Sequence, residues 1–203
     1  MGLLGLFTMT TGCASTGMAR TLDEGELQMS LTPGKHYSLE GSGSKPQMEV
    51  GLRYGATDRV DVGVRLFPFG LTMDTRIALA KSPTLDSGVD VTLAPSATMG
   101  LYGSGGYFSF PSVRTALEMP VLVGLNLGRG TQFVVGPRVT YVPPKSDEEG
   151  RVLMGSSVGL ALPLMTNVRV VPEVTVRKLL DGRQTLLNAN IGVLFGGYSG
   201  GGS

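Results

Sequence analysis

Very few residues in this 203-residue chain could carry out catalysis, because it contains one cysteine, Cys13, and one histidine, His36. A thiol needs a neighbouring base to become a nucleophile, and a zinc site needs several cysteine or histidine ligands. The sequence around Cys13 offers neither. His36 lies in a polar stretch, residues 32–46, that we interpret as a loop, where a lone histidine is expected to be solvated. The sequence therefore predicts a protein that is not an enzyme and has no metal site or cofactor.

The charged residues offer a different kind of chemistry, because most of them alternate with apolar residues along the chain. The sequence has 17 Lys and Arg against 16 Asp and Glu, so no charge field attracts nucleic acid. The charged positions on the polar face of alternating segments are Glu49, Arg53, Asp61, Arg65, Asp74, Arg76, Asp90, Arg114, Glu118, Arg138, Arg169, Glu173 and Arg177. We predict that these arginines and carboxylates pair with one another.

The alternation itself predicts β-strands. In MEVGLRY, residues 48–54, and in RVDVGVRLF, residues 59–67, every second residue is apolar. The polar break ATD lies between them, which is the pattern of a β-hairpin. No stretch shows sustained helical periodicity with capping residues.

The same pattern continues to the end of the chain and predicts about ten strands, with eight as the alternative. A weaker strand, residues 26–31, opens the series. The remaining strands are predicted at residues 71–79, 89–102, 113–126, 133–142, 152–164, 168–178 and 187–195. Strands in hairpin order predict an all-β, antiparallel, up-and-down sheet, and closure into a single barrel would leave no unpaired edge.

The composition of the two faces favours a transmembrane barrel over a soluble, lipocalin-like barrel. A soluble barrel has a wet outer face that is rich in Lys and Glu. Here lysine is rare on the polar face, and small residues with balanced charges suit a narrow lumen in which unpaired charge is costly. Strands of about ten residues also match the length that crosses a bilayer. The apolar face would then contact lipid.

The N-terminal residues have features of an export signal. The apolar run MGLLGLF is followed by small residues up to Cys13, which is typical of the end of a secretory signal. The residues TTGC, 10–13, resemble the lipobox of bacterial lipoproteins. That resemblance implies that residues 1–12 belong to a signal peptide, that Cys13 carries lipid and that residues 13–25 form a lipid-anchored linker. The alternative is an unmodified cysteine in a leader.

Three stretches, RYGATDRVDVGVRL, PEVTVRK and NIGVLF, resemble the small outer-membrane β-barrel proteins of Gram-negative bacteria. The resemblance covers residues 26–195 and implies contact with outer-membrane lipid and with the machinery that inserts such barrels. Phe195 is at the place of the terminal aromatic residue that this machinery recognises. Residues 196–203 are expected to be a flexible Gly/Ser tail.

Two function classes remain open for such a barrel. A ten-stranded lumen is only slightly wider than the eight-stranded one that side chains fill. A structural or interaction protein with a charge-filled lumen is therefore favoured. The alternative is a narrow channel or a small-ligand pocket, because several glycines also face the lumen: Gly51, Gly63, Gly136, Gly155, Gly159 and Gly192. The sequence identifies no small-molecule ligand.

Overall fold

Antiparallel strands form the wall of a closed barrel in the computed structural model, which describes residues 17–40, 44–102, 112–144 and 149–198. Neighbours in sequence pair with each other, except that β5 and β6 each pair with β4 and β7, and β1 also pairs with β11, which closes the sheet. The strands are β1 (Leu27–Ser38), β2 (Ser44–Thr57), β3 (Val60–Phe67), β4 (Gly70–Ala80), β5 (Gly88–Leu93), β6 (Ser96–Tyr102), β7 (Ser112–Gly128), β8 (Thr131–Val142), β9 (Arg151–Met165), β10 (Val168–Leu179) and β11 (Thr185–Gly196). Within the described ranges, no helix has the length and apolar character needed to cross a membrane.

β5 and β6 are two halves of one strand, so the barrel has ten strands. Both halves lie between β4 and β7, and the pairing register with β7 is the same on either side of the gap. The gap falls at Ala94 and Pro95, and Pro120 lies opposite on β7. Proline cannot donate a ladder hydrogen bond, which explains the interruption. The predicted ten-stranded, antiparallel, up-and-down barrel is confirmed.

The two faces of the wall have the polarity of a transmembrane barrel. Large apolar side chains such as Leu52, Met73 and Val158 are exposed on the outside. The buried residues that face inward are mostly polar or charged, for example Glu49 and Thr175. This arrangement is opposite to that of a soluble, lipocalin-like barrel, whose apolar face is inside.

The two ends of the barrel differ. One end carries the short connections at residues 58–59, 81–87, 129–130 and 166–167, and both described chain ends lie there. We refer to it as the short-turn end. At the opposite end the chain leaves the sheet after Ser38, Phe67, Tyr102, Val142 and Leu179. In outer-membrane barrels, short turns face the periplasm.

The first strand differs most from its predicted bounds. β1 continues to Ser38 and β2 begins at Ser44, so the predicted loop at 32–46 is too long and His36 lies in the barrel wall rather than in solvent. Pro33 and Gly34 suggest a loop, but β1 is paired on both sides, and this tertiary pairing overrides local preference. A side chain at Gly34 would collide with Asn190, so glycine allows the close approach of β11.

Candidate functional site in the barrel lumen

The most unexpected feature of the lumen is a stretch of chain before β1. Residues 17–22 are buried inside the barrel at the short-turn end, and we call them the lumen segment. They belong to the linker predicted over residues 13–25, but residues 17–22 are packed against the inner wall, while Glu24 and Gly25 are exposed. Met18 and Leu22 pack with Ala161, Val171 and Leu194, which are apolar residues on the lumen face.

Hydrogen bonds fix the lumen segment to several strands. Its backbone amide at Ala19 donates to Gln132 on β8 (2.7 Å), and the amide at Leu22 donates to Asp61 on β3 (2.9 Å). The carbonyl of Met18 accepts from Arg76 on β4 (2.7 Å). A segment without secondary structure needs such partners, because a buried backbone group without one is costly. The inner side chains therefore act as the hydrogen-bonding partners of an inserted strand of chain.

Asp61 is the centre of the first charged cluster. Its side chain is fully buried and pairs with Arg53 and with Arg76, the latter at 2.6 Å. It also accepts the amide of Leu22, so one carboxylate joins two arginines to the lumen segment. A buried charge is tolerated only when its hydrogen-bonding capacity is satisfied, and Asp61 meets this condition.

The cluster extends across the wall through Asp74, which pairs with Arg53 and lies 3.3 Å from Arg65. Arg53 is on β2 and Asp74 on β4, so their bridge passes over Gly63 of the intervening β3. A methyl group at Gly63 would come within 2.8 Å of the Arg53 guanidinium. Glycine at this lumen position therefore makes room for an ion pair between next-nearest strands. Arg65 also lies 3.7 Å from Glu49.

A second charged cluster joins β7, β8, β9 and β10. Arg138 donates to Glu118 at 2.9 Å and to Ser157 at 2.5 Å, and it lies 3.6 Å from Glu173. Arg177 lies 4.0 Å from the other oxygen of Glu118. These side chains are buried, so their interactions are screened little by salt. The cluster ties together strands on one side of the lumen.

Asp90 on β5 forms a third, mainly neutral cluster. Its carboxylate accepts from the Ser82 amide (2.7 Å), from Asn126 (2.9 Å) and from Gln132 (2.8 Å). Arg20 of the lumen segment lies 3.8 Å away and donates to the carbonyl of Ser82 at 2.7 Å. Since Gln132 also accepts from the lumen segment, this cluster and the segment hold each other in place.

Tyr198, just after β11, is part of the lumen packing rather than of the flexible tail expected for residues 196–203. Its hydroxyl donates to the carbonyl of Arg20 at 2.6 Å, and its amide donates to Glu26 at 2.9 Å. Burial raises the pKa of the Tyr198 hydroxyl, so the hydroxyl keeps the proton that it donates. The Tyr198 ring also covers the guanidinium of Arg169, whose Cζ lies 4.9 Å from the ring centroid.

The structure thus places nearly all of the predicted charged residues at the lumen and divides them among distinct clusters. Arg114 is half-buried on β7. Arg169 is set apart from these clusters because it stacks on an aromatic ring. Cys13, the predicted lipid attachment site, lies outside the described residues, as do residues 1–12.

Sequence reasoning missed several lumen residues. His36 faces inward and hydrogen-bonds to Asn188, and Gln132 and Arg20 take part in the Asp90 cluster. Gln132 could have been found, because it continues the alternation of β8 by one residue. Arg20 could not, because the short stretch around it has no periodicity that relates it to the barrel.

The described residues contain no group of three or more His, Cys, Asp or Glu side chains arranged to hold a metal ion. A cavity of about 720 Å³ lies where β5 and β6 are interrupted. Apolar outer residues such as Met73 and Met119 line it together with Asp74 and Glu118. Since both carboxylates already belong to charged clusters, the cavity adds no separate reactive group.

Comparison with known proteins gives only distant similarities. No protein-family pattern matches the sequence, and no curated protein matches it. Among solved structures, Ail, the attachment invasion locus protein of Yersinia pestis, aligns with a TM-score of 0.34 and 12% identity over 85% of this chain and 99% of its own. The translocator domain of the autotransporter NalP from Neisseria meningitidis aligns with a TM-score of 0.40 and 10% identity over 84% of this chain and 88% of its own. Neisserial surface protein A aligns with a TM-score of 0.30 and 11% identity over 84% of this chain and 95% of its own. Similarities of this size carry no information about what the protein does.

Proposed function

We propose that this protein is a non-enzymatic β-barrel lipoprotein of the outer membrane of a Gram-negative bacterium, with a structural or interaction role. The observation that carries the proposal is the lumen, which is occupied by charged clusters and by the lumen segment. A barrel filled in this way resembles a packed core more than a pore. Its outer surface and the loops at the opposite end would then carry its interactions.

The polarity of the wall supports the membrane location. The outer face exposes large apolar side chains on every part of the wall, from Met29 on β1 to Phe195 on β11. Such a surface is unfavourable in water and favourable in lipid. Closure of the sheet gives every strand two partners, which a bilayer requires because it offers no hydrogen bonds. Phe195, outward-facing near the end of β11, is available to the insertion machinery.

The lumen segment is the reason to prefer a closed barrel over a channel. It contacts Asp61 on β3 and Gln132 on β8, which lie far apart around the wall. Ions moving along the lumen would have to pass this segment and then the buried pairs around Asp74 and Glu118. Moving the segment would break hydrogen bonds to buried groups, each of which contributes about 0.5–1.5 kcal/mol.

Conductance in planar lipid bilayers tests the closed lumen. We expect the purified full-length protein to insert and to show no steady ohmic current, since the lumen segment and the ion pairs occupy the path. A variant in which residues 17–22 are replaced by a glycine-serine sequence of equal length should conduct more than the wild type. The control is the same replacement applied to residues 180–183, which lie in the connection between β10 and β11 at the opposite end and are exposed or half-buried.

A stable, salt-dependent single-channel current from the wild-type protein would favour the alternative function, a narrow channel or small-ligand barrel. Location is tested separately by cell fractionation. The mature protein should remain with the outer membrane after high-salt and carbonate washes. Recovery of the folded protein in a detergent-free soluble fraction would contradict the membrane assignment whatever the conductance result.

We also propose that Cys13 carries the acyl chains of a bacterial lipoprotein, as its lipobox-like context suggests. Gly17 is buried in the lumen, and four residues reach at most about 14 Å, so a lipid on Cys13 would enter the membrane close to the barrel. We expect mass spectrometry of the native N-terminus to find an acylated Cys13, and Cys13→Ser to abolish acyl labelling. An unmodified Cys13, or a mature chain that begins after it, would exclude the anchor.

A further inference from the structure

Arg169 differs from the other buried arginines of the lumen. Arg169 is 6% exposed, yet no carboxylate of the described residues lies within ion-pair distance of its guanidinium. Among the described residues its Nε–H has no hydrogen-bond partner, its Cζ lies over the Tyr198 ring, and Glu26 is the acid whose charge acts on it from beyond ion-pair distance. By contrast, Arg76 and Arg138, which are as deeply buried, each pair with a carboxylate within 3 Å. A buried charge that is left in this condition is costly.

The stacking on Tyr198 determines which side of the guanidinium is available. The Tyr198 ring covers one side of the group, with Cζ 4.9 Å from the ring centroid, while the Nε–H of the guanidinium has no partner among the described residues. The planar donor set of a guanidinium matches two oxygens of an oxyanion, which it can bind with two parallel hydrogen bonds. Arg169 is therefore oriented by Tyr198 and has donors for an anion.

The donors adjoin a cavity of about 630 Å³ at the short-turn end. Arg20, Arg129 and Arg169 line this cavity, together with the apolar residues Leu164 and Met165 at its edge. A volume of this size is typical of a site for a small organic ligand and is much larger than a single ion needs.

The carboxylates that line the cavity are already engaged. Asp23 pairs with Lys81 at 2.6 Å, and Asp86 accepts the backbone amide of Arg129 at 3.0 Å. Arg20 donates to the carbonyl of Ser82 and pairs with Asp90, so both its charge and one of its donors are already engaged. The exposed side chain of Arg129 is at the cavity edge, where it can approach a ligand. Among the described residues, no carboxylate lies within ion-pair distance of the guanidinium of Arg169 or Arg129, so these two arginines keep N–H donors for a ligand.

We propose that this cavity binds a phosphate ester, with the phosphate held by Arg169 and Arg129. The bidentate geometry of a guanidinium suits phosphate oxygens, and two arginines match its charge. The source is either a soluble phosphate monoester or the headgroup of a phospholipid whose chains lie along Leu164 and Met165. The proposal does not depend on whether the barrel is a channel or a closed protein.

Binding is measured with the full-length protein in a phosphate-free maltoside detergent. One arm titrates glycerol 3-phosphate, and the other adds phosphatidylglycerol to the micelles, with phosphatidylcholine as the reference lipid. Calorimetry gives the affinity, and the thermal unfolding midpoint gives a second readout. Saturation by glycerol 3-phosphate alone indicates a soluble ligand, and saturation by phosphatidylglycerol alone indicates a lipid headgroup. Either result supports the proposal.

The variants assign the binding to this cavity. Arg169→Gln should weaken binding by about tenfold or more, as expected for lost charged hydrogen bonds, and Arg129→Gln by a smaller factor. Arg59→Gln removes an exposed arginine at the same end but outside the cavity, and it should bind like the wild type. Without ligand, Arg169→Gln should be at least as stable as the wild type, since it removes a buried unpaired charge.

Two results would overturn the proposal. The first is the absence of saturable binding of both probes to the wild type. The second is that Arg129→Gln and Arg169→Gln each bind the probe as tightly as the wild type. If Arg169→Gln fails to fold, equal binding by Arg129→Gln and the wild type is enough. In the second case, the probe would bind elsewhere on the protein.

Discussion

Replacing Asp61 with asparagine is expected to destabilise the barrel by about 3–5 kcal/mol, the cost of removing one partner from a buried ion pair. Asparagine keeps the shape of the side chain but removes the charge that Arg53 and Arg76 share. Arg53 retains Asp74, but Arg76 loses the carboxylate that it contacts at 2.6 Å while remaining buried. The free energy of unfolding is measured in micelles by urea titration with linear extrapolation.

The matched control is Glu24→Gln, which removes the same charge from an exposed residue next to the lumen segment. It should change the free energy of unfolding by no more than about 0.5 kcal/mol. If Asp61→Asn were as mild as this control, the first charged cluster would not be a stabilising part of the lumen. Asparagine can still accept the hydrogen bond from the Leu22 amide. The loss of stability in Asp61→Asn therefore reports on the pairs with the two arginines and not on this hydrogen bond.

The second large effect is expected on the outer face, where Val158→Arg should cost about 2–4 kcal/mol in a bilayer. Val158 lies in the middle of β9 and is 46% exposed, with Val135 and Val174 beside it on the neighbouring strands. An arginine there would bring its charge into the hydrocarbon core. Unfolding from lipid vesicles, rather than from detergent micelles, measures this penalty.

A depth control uses the same strand and the same substitution. Val152→Arg is on the same face of β9 but close to its end, so its arginine can reach the interface and should cost about 0–1 kcal/mol. Equal penalties at Val152 and Val158 would mean that the outer face does not cross a hydrocarbon layer. Equal stability of both variants and the wild type would reverse the assignment of the two faces.

The sequence predicted the wall of the barrel well, because the wall depends on a local pattern. Alternation along strands such as β3 and β10 separates the faces, and it needs no knowledge of distant residues. Even the interrupted strand was predicted as one unit over residues 89–102, since its alternation continues through Pro95. The limits of β1 were wrong because its pairing with β11 depends on residues from the other end of the chain.

The contents of the lumen were less predictable. Asp61 and Arg76 are direct partners on adjacent strands, so their pairing follows from the β3–β4 hairpin. Arg53 and Asp74, by contrast, meet across β3 because Gly63 lies between them, and no pattern along one strand reveals this. The burial of Met18 and Leu22 has no sequence signal either, since the segment is short and aperiodic. Its position depends on the finished barrel.

The position of the lumen segment also sets an order of events during synthesis. Residues 17–22 are made before every strand, but their partners follow along the whole chain: Asp61 early, Gln132 later and Tyr198 after the last strand. The joining of β1 to β11 likewise brings together residues such as Met29 and Phe195. Contacts between such distant residues form late because closing a long loop costs entropy. The first described residues of the chain are therefore among the last to reach their final packing.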